Sequence, residues 1–131
     1  MSGKNYLIDT NIVIGLFASE PSIIEKIKSQ SGVISVPSIV IGELFYGAEQ
    51  SSKKESNRKR IEEFAQTSLI TDCDLDTARH YALVKSYLKS KGTPIPENDI
   101  WIAALAKQHR LTLVTRDKHF NNIQELLLES W

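Results

Sequence analysis

The sequence predicts an α/β fold in which a parallel sheet carries helices on both of its faces. Two observations support this fold class. Short apolar runs of strand length alternate with longer segments whose apolar residues recur at helical spacing. The alternation is typical of parallel sheets, because a helix must carry the chain back between parallel strands. With 131 residues and neither a linker nor a repeat, the chain is expected to form a single domain over residues 1–131.

The residue pattern of the N-terminal part of the chain predicts a strand followed by two helices. Tyr6–Ile8 is a continuous apolar run, as expected of a buried strand. Asp9 or Thr10, directly after it, is a suitable cap for a helix. Ser22–Lys28 has isoleucines on one side and charged residues on the other, which predicts an amphipathic helix.

The middle of the chain repeats the alternation. Val33–Val36 predicts a second strand. Pro37 suits the first turn of a helix that runs to about Ala48, because the first turn does not use the missing N–H. Lys53–Gln66 predicts a polar helix, and Leu69–Ile70 a short strand after it.

The C-terminal half contains the clearest strand. Thr77–Leu88 has helical spacing, and Ser90–Pro96 holds a glycine and two prolines that predict a loop. A helix follows that contains Ile100–Ala106, and Leu111–Thr115 then predicts a strand. Ile123–Leu128 fits a helix or a strand, and its periodicity does not decide between them.

The amino-acid composition excludes several classes of protein. Lys plus Arg and Asp plus Glu each total 16, so the net charge is zero and any nucleic-acid surface must be local. The single cysteine, Cys73, excludes an internal disulfide framework and a cysteine-rich zinc site. No apolar run approaches the roughly 20 residues of a membrane span, and the polar start Met1–Asn5 does not resemble a signal peptide. We therefore expect a cytoplasmic protein without a membrane partner.

Two acids stand at the ends of predicted strands. Asp9 directly follows the first strand, and Asp117 follows Leu111–Thr115 by two residues. Ligands of open parallel sheets bind at the carboxyl ends of the strands, which makes both acids candidates for a site. Taken singly, each could equally be a helix cap or a turn residue.

Two further acids lie on predicted helices. Glu43 flanks the apolar stripe that contains Val40, and Gly47 one turn later predicts that something packs closely against that face. Asp99 opens its helix, where the helix dipole alone would favour an acid. Converging carboxylates repel one another unless a cation joins them. Oxygen ligands without cysteine suit Mg²⁺ or Mn²⁺, ions that serve phosphodiester hydrolysis.

Four segments follow one another along the chain: Leu7–Asn11, Gly42–Gly47, Asn98–Ala104 and Thr115–Phe120. They resemble the ordered motifs of the PIN-domain family. Their order and the chain length are similar to the VapC group, the ribonuclease toxins of bacterial VapBC toxin–antitoxin pairs. The resemblance implies a three-layer α/β/α fold with a short, mostly parallel central sheet. It also implies that Leu126–Leu128 forms a short edge strand.

The same resemblance implies an endoribonuclease that uses Mg²⁺ or Mn²⁺. The positions that match the family's acids are Asp9, Glu43, Asp99 and Asp117. Of these, Asp9, Asp99 and Asp117 would be metal ligands, and Glu43 either a ligand or a base that orients the attacking water. Polar positions that support the acids match Asn11, Asn98 and Thr115. The implied partners are transfer or ribosomal RNA, a VapB-type antitoxin that inserts a basic side chain among the acids, and a second copy of the chain.

Two alternatives remain at this point. One is a metal-binding module without nuclease activity, such as a regulatory PIN-like domain or a phosphoacceptor receiver, although Glu43 lies on a helix where a phosphoacceptor could not. The other is a structure-specific DNA nuclease, for which 131 residues leave little room. The histidines are not spaced as a metal cluster, and His119 is a minor candidate for contacting RNA phosphate. Lys53–Arg60 is a candidate phosphate-binding surface, and Trp101 is expected in the core.

Overall fold

The computed structural model describes residues 4–131, so the first three residues of the polar start lie outside the described part. Its sheet has five strands in the order β3-β2-β1-β4-β5, and every neighbouring pair is parallel. The strands are β1 Tyr6–Ile8, β2 Ile34–Pro37, β3 Leu69–Thr71, β4 Thr112–Val114 and β5 Leu128–Glu129. The predicted α/β class is confirmed, and the sheet is parallel throughout its described strands.

Within residues 4–131, six α-helices cover the sheet and complete the three-layer α/β/α arrangement. They are α1 Thr10–Phe17, α2 Pro21–Ser29, α3 Ser38–Glu49, α4 Lys54–Thr67, α5 Leu75–Lys91 and α6 Glu97–His109. A short 3₁₀ helix over Lys118–Asn122, which sequence reasoning did not predict, follows β4. Helix α5 packs along α6, α3 packs along α4, and α1 contacts both α2 and α3.

The centre of the core is β1 together with α6. All three residues of β1 are buried, and the run from Ile102 to Ala106 on α6 is buried on every side. Each fully buried leucine or isoleucine contributes roughly 1.5–3 kcal/mol relative to an exposed one. Helix α6 contacts β4, which pairs with β1, and both segments belong to one buried cluster. The core therefore positions the carboxyl end of β1 and the first turn of α6, and both positions carry an acid, Asp9 and Asp99.

Two predicted boundaries were wrong. Pro37 ends β2, where it is in register with Thr71, and α3 begins one residue later. The strand tolerates the proline because the pairing of β1 with β2 involves only Ile34 and Ser35. The predicted loop at Ser90–Pro96 starts later, since α5 continues to Lys91 and ends at Gly92, whose φ of 68° is left-handed.

The C-terminal segment forms the edge strand that the family resemblance implied, two residues further along the chain at Leu128–Glu129. Trp131 is buried and packs edge-on against Tyr6, with ring centroids 5.2 Å apart. Trp101, expected in the core, is only half-buried and stacks on Tyr81 at 4.1 Å. Among residues 4–131, no helix has both the length and the apolar character needed to cross a membrane.

Candidate active site

A polar cleft of about 590 Å³ opens at the carboxyl ends of β1 and β4. Its lining includes all four acids that the sequence singled out, each supplied by a different element. Asp9 precedes α1, Glu43 lies on α3, Asp99 lies in the first turn of α6, and Asp117 precedes the 3₁₀ helix. The cleft therefore exists only because these four elements pack around one end of the sheet.

Asp9 is the most enclosed of the four acids, with 5% of its surface exposed. One carboxylate oxygen accepts the backbone N–H of Thr10 at 2.8 Å, which makes Asp9 the cap of α1. The other accepts the hydroxyl of Thr115 at 2.7 Å. Burial raises the pKa of Asp9, and these two hydrogen bonds oppose the rise because they favour the charged form. Asp9 therefore caps α1 and also lines the cleft.

Glu43 lies beside Asp9 and is connected to it through one residue. The hydroxyl of Thr10 donates to Glu43 Oε1 at 3.2 Å, while its backbone N–H binds Asp9. Burial raises the pKa of Glu43, and the nearby charges of Asp9 and Asp99 raise it further. The prediction about Gly47 was wrong, because a Cβ there would meet nothing within 4 Å. Gly47 instead lines a neighbouring groove.

Asp99 and Asp117 are joined by a histidine. His119 Nε2 lies 2.5 Å from Asp99 Oδ2, and its Nδ1 lies 3.0 Å from Asp117 Oδ1. Burial raises the pKa of Asp99, the contact with His119 opposes the rise, and the charge of Asp9 adds to it. One ligand atom from each of Asp99, Asp117 and His119 falls within 4.8 Å of the others, a spacing suited to one metal ion.

His119 is the site residue to which sequence reasoning gave too little weight. Its separation from the other histidines argued against a metal cluster, yet the cluster it joins is made of acids. The feature of the sequence that could have identified His119 is its position two residues after Asp117, within the same short turn. Its contact with Asp99, 20 residues earlier in the chain, could not be derived from spacing.

Two of the three polar residues expected to support the acids, Asn11 and Asn98, line the cleft, and the third, Thr115, contacts two of the acids. Thr115 donates to Asp9 and accepts the backbone N–H of Asp117 at 3.0 Å, so one hydroxyl orients two acids. Asn11 accepts the backbone N–H of Arg116 at 3.3 Å, and Asn98 lines the cleft. The end of β4 is therefore tied to the start of α1.

The described cations near the cleft are mostly engaged elsewhere. Arg116 makes a bidentate ion pair with Glu20, and its Nε donates to the carbonyl of Trp131 at 3.1 Å. In the Lys53–Arg60 run, Lys54 pairs with Glu49 at 2.8 Å. The acids consequently face one another with hydroxyls, backbone N–H groups and one imidazole as partners. Such a set of oxygen donors is suited to a hard divalent cation.

A second groove, of about 400 Å³, continues from the cleft between α1, α3 and α4. It shares Thr10, Ile14 and Glu43 with the cleft, and most of its other lining residues have apolar side chains. Arg60 forms part of its wall, with the guanidinium 4.6 Å from the ring centroid of Phe17. Ile14 is 54% exposed at the junction of the two hollows.

Comparison with known proteins extends over nearly the whole chain. A family model described as PIN domain matches residues 6–126. "Ribonuclease VapC2" of Haemophilus influenzae is 38% identical over 128 residues, covering 96% of this chain and 97% of the relative. "tRNA(fMet)-specific endonuclease VapC" of Shigella flexneri is 31% identical over 128 residues, with the same coverage.

A solved structure gives the same result in three dimensions. The structure of VapBC2 from Rickettsia felis bound to a DNA fragment from its promoter contains a chain that superposes with a TM-score of 0.90. That chain is 32% identical to this one, and the match covers 97% of this chain and 98% of that one. The fold, its length and the order of its elements are therefore common to both.

Proposed function

The chain belongs to the PIN-domain family and to its VapC ribonucleases, and on that premise we propose that it cleaves RNA with the help of a divalent metal ion. The observation that carries the proposal is the convergence of Asp9, Glu43, Asp99 and Asp117 on one cleft. Burial raises the pKa of three of them, so the set is costly to keep charged without a cation.

The residues present fit Mg²⁺ or Mn²⁺. We propose Asp9, Asp99 and Asp117 as the ligands, because each offers a carboxylate oxygen to the cleft and the described part of the chain places no lysine or arginine in its lining. When bound, such an ion stabilises negative charge on phosphoryl oxygens and makes a water molecule more acidic. Thr115 and Thr10 hold the carboxylate of Asp9 in place, so that little motion is needed when the cation arrives.

We assign Glu43 the role of orienting the attacking water and receiving its proton. Burial raises the pKa of Glu43, which makes its carboxylate a stronger base than an exposed one. The hydroxyl of Thr10 holds one of its oxygens. The water oxygen would bond to the phosphorus of the RNA backbone as the bond from phosphorus to the leaving oxygen breaks. The proton of the water would pass to Glu43, and the leaving oxygen would take up a proton from solvent and depart as a hydroxyl.

Transfer RNA is the substrate class with the most direct support, because the Shigella relative is named for it. Ribosomal RNA is the second candidate that the family resemblance implies. Either RNA would place the activity in the cytoplasm. Within the Lys53–Arg60 run, Lys54 pairs with Glu49, and Arg58 lies 3.9 Å from both Glu49 and Glu55. Phosphate contacts of this run would therefore fall mainly to Lys53, Lys59 and Arg60.

Two protein partners complete the proposal. The Rickettsia structure contains a toxin with its antitoxin, and we propose a VapB-type antitoxin for this chain as well. A basic side chain of that partner would compete with the metal, because both cations would bind the same carboxylates. We also propose a homodimer, for which Leu75 and Leu83 of α5, each 69% exposed, offer apolar surface. Light scattering of the purified chain tests the dimer.

The decisive experiment is a cleavage assay on the purified protein. Transfer RNA, a ribosomal RNA fragment and a DNA oligonucleotide are each incubated with Mg²⁺ or Mn²⁺, with and without chelator. We expect cleavage of an RNA that chelator abolishes and that Asp9→Ala abolishes. Added antitoxin should inhibit less as Mg²⁺ is raised.

Cleavage that survives both chelator and Asp9→Ala would mean a different active site and would overturn the proposal. Cleavage of DNA alone would favour a DNA nuclease. Metal binding without cleavage of any RNA would favour a module that binds metal without hydrolysis.

A further inference from the structure

We propose that His119 provides a nitrogen ligand to the metal ion and thereby shifts the preference of the site from Mg²⁺ towards Mn²⁺. The inference rests on the proposed function, because it concerns the ion held by Asp99 and Asp117. It adds a nitrogen ligand to the carboxylate ligands proposed above. The observation that supports the proposal is that the imidazole of His119 lies between those two carboxylates and contacts both.

The distances are close to those of neighbouring ligands on one ion. With metal–ligand distances of about 2.1 Å, adjacent ligand atoms of an octahedron are about 3.0 Å apart. His119 Nδ1 and Asp117 Oδ1 are separated by 3.0 Å. One ligand atom from each of His119, Asp99 and Asp117 falls within 4.8 Å of the others, so a single ring nitrogen and the two carboxylates can share one ion after small side-chain rotations. Only one ring nitrogen can face a given ion, because the two point in different directions.

The ring is held at the cleft by its neighbours along the chain. Phe120, the next residue, is fully buried, and its ring centroid lies 5.1 Å from that of His119. The preceding turn is fixed by the hydrogen bond from the Asp117 N–H to Thr115. The side chain of His119 is 28% exposed, so it is neither a free surface group nor sealed from an incoming ion.

An imidazole changes which metal the site favours. Mg²⁺ binds oxygen ligands and gives up its water reluctantly, whereas imidazole nitrogen suits transition metals. A site of carboxylates plus one nitrogen should therefore hold Mn²⁺ better, relative to Mg²⁺, than a site of carboxylates alone. The competing explanation is that His119 only balances the charge of two carboxylates and leaves when the metal enters. The two explanations predict opposite effects of removing the ring.

The direct test is pulsed electron paramagnetic resonance of the full chain loaded with Mn²⁺. We expect a modulation from a directly bonded ¹⁴N nucleus, which changes to the ¹⁵N pattern when the protein is produced with ¹⁵N-labelled histidine. This measurement uses the unaltered sequence, so it does not depend on any variant folding. A spectrum without nitrogen coupling, from protein that binds Mn²⁺, overturns the inference and leaves the proposed function standing.

The second test compares His119→Gln with His80→Gln. His80 is a matched control because it also lies near an aspartate, 3.7 Å from Asp76, but on α5 and outside the cleft. For His119→Gln we expect Mn²⁺ affinity to fall by at least about tenfold, with a smaller fall for Mg²⁺ measured by competition. For His80→Gln we expect no change. Unchanged or tighter Mn²⁺ binding by His119→Gln overturns the inference, because removal of a mere counter-ion would help the metal.

Two measurements separate this inference from the proposed function. Thermal unfolding in chelator shows whether His119→Gln is folded, and if it is not, the labelled wild-type spectrum decides alone. Asp99→Asn should also lose Mn²⁺ affinity if Asp99 is a ligand. Failure of the wild-type chain to bind Mn²⁺ at all overturns both proposals together.

Discussion

The four acids form two pairs, and the pairs are bridged by different chemistry. In the threonine-bridged pair, Asp9 and Glu43, the backbone N–H and the hydroxyl of Thr10 each donate to one carboxylate. In the histidine-bridged pair, Asp99 and Asp117, the two ring nitrogens of His119 each meet one carboxylate. Both bridges hold two acids that lie far apart in the sequence.

The difference between the bridges separates two tasks. A threonine bridge is neutral and only donates hydrogen bonds, so it orients carboxylates without competing for a metal. An imidazole can donate a proton or offer a nitrogen lone pair, so the ring of the histidine-bridged pair can turn from bonding the carboxylates to bonding a metal ion. We infer that the threonine-bridged pair is prepared in advance and that the histidine-bridged pair adapts when the ion binds.

The largest effect is expected from Asp99→Asn in the histidine-bridged pair. Loss of a metal ligand should lower the cleavage rate by about 100- to 1,000-fold, because a bound cation lowers the activation barrier by several kcal/mol. The fold should be retained and, in chelator, be as stable as wild type or more so, since one of several repelling carboxylates is gone. Cleavage rates and thermal unfolding measure the two effects. Unfolding of the variant in chelator, with wild type intact, would show that Asp99 is only a structural cap.

The next effect concerns the support of the threonine-bridged pair. Thr115→Val keeps the shape of the side chain but leaves one oxygen of the buried Asp9 without its donor. The free energy of unfolding should fall by about 1–3 kcal/mol, which denaturant titration measures. Thr115→Ser is the matched control and should stay close to wild type, because it keeps the hydroxyl. Equal losses in both variants would assign the effect to packing of the methyl group.

The third effect is a pH dependence of stability in chelator. The pKa of Asp9 is raised by burial, so the folded protein holds that proton to a higher pH than the unfolded chain. The contribution of Asp9 to folding is therefore most favourable below the ordinary carboxyl pKa of about 4 and falls as the pH rises towards the raised value. Asp9→Asn removes this pH-dependent contribution, so the stability of the variant relative to wild type should increase as the pH rises above about 4. A relative stability that falls as the pH rises would contradict the raised pKa.

The smallest effect is expected from Thr10→Val. The backbone N–H at position 10 still donates to Asp9, which remains the cap of α1, and only the 3.2 Å hydrogen bond to Glu43 is lost. Cleavage should slow by no more than about tenfold, which corresponds to the roughly 0.5–1.5 kcal/mol of one hydrogen bond. Thr10→Ser should behave as wild type. A loss as large as that of Asp99→Asn would mean that the bridge itself takes part in the chemistry.

Local sequence determined the elements and the places of the acids. The run Tyr6–Ile8 is apolar throughout because β1 is the central strand and is covered on both faces. An acid directly after such a strand must stand at the carboxyl edge of the sheet, and the periodicity around Glu43 and Asp99 put both on helices. Strand ends were less predictable, since Pro37 is in register with Thr71 only through the pairing of β2 with β3.

The tertiary structure alone decided which side chains meet. Thr10 reaches Glu43 over 33 positions of sequence, and His119 reaches Asp99 over 20, through the packing of α3 and α6 around one end of the sheet. Such contacts follow from where buried helices come to rest, which depends on the shape of the whole core and not on the spacing of the residues involved. The sequence therefore determined that acids surround the end of a parallel sheet, and the tertiary structure decided that a threonine bridges one pair of them and a histidine the other.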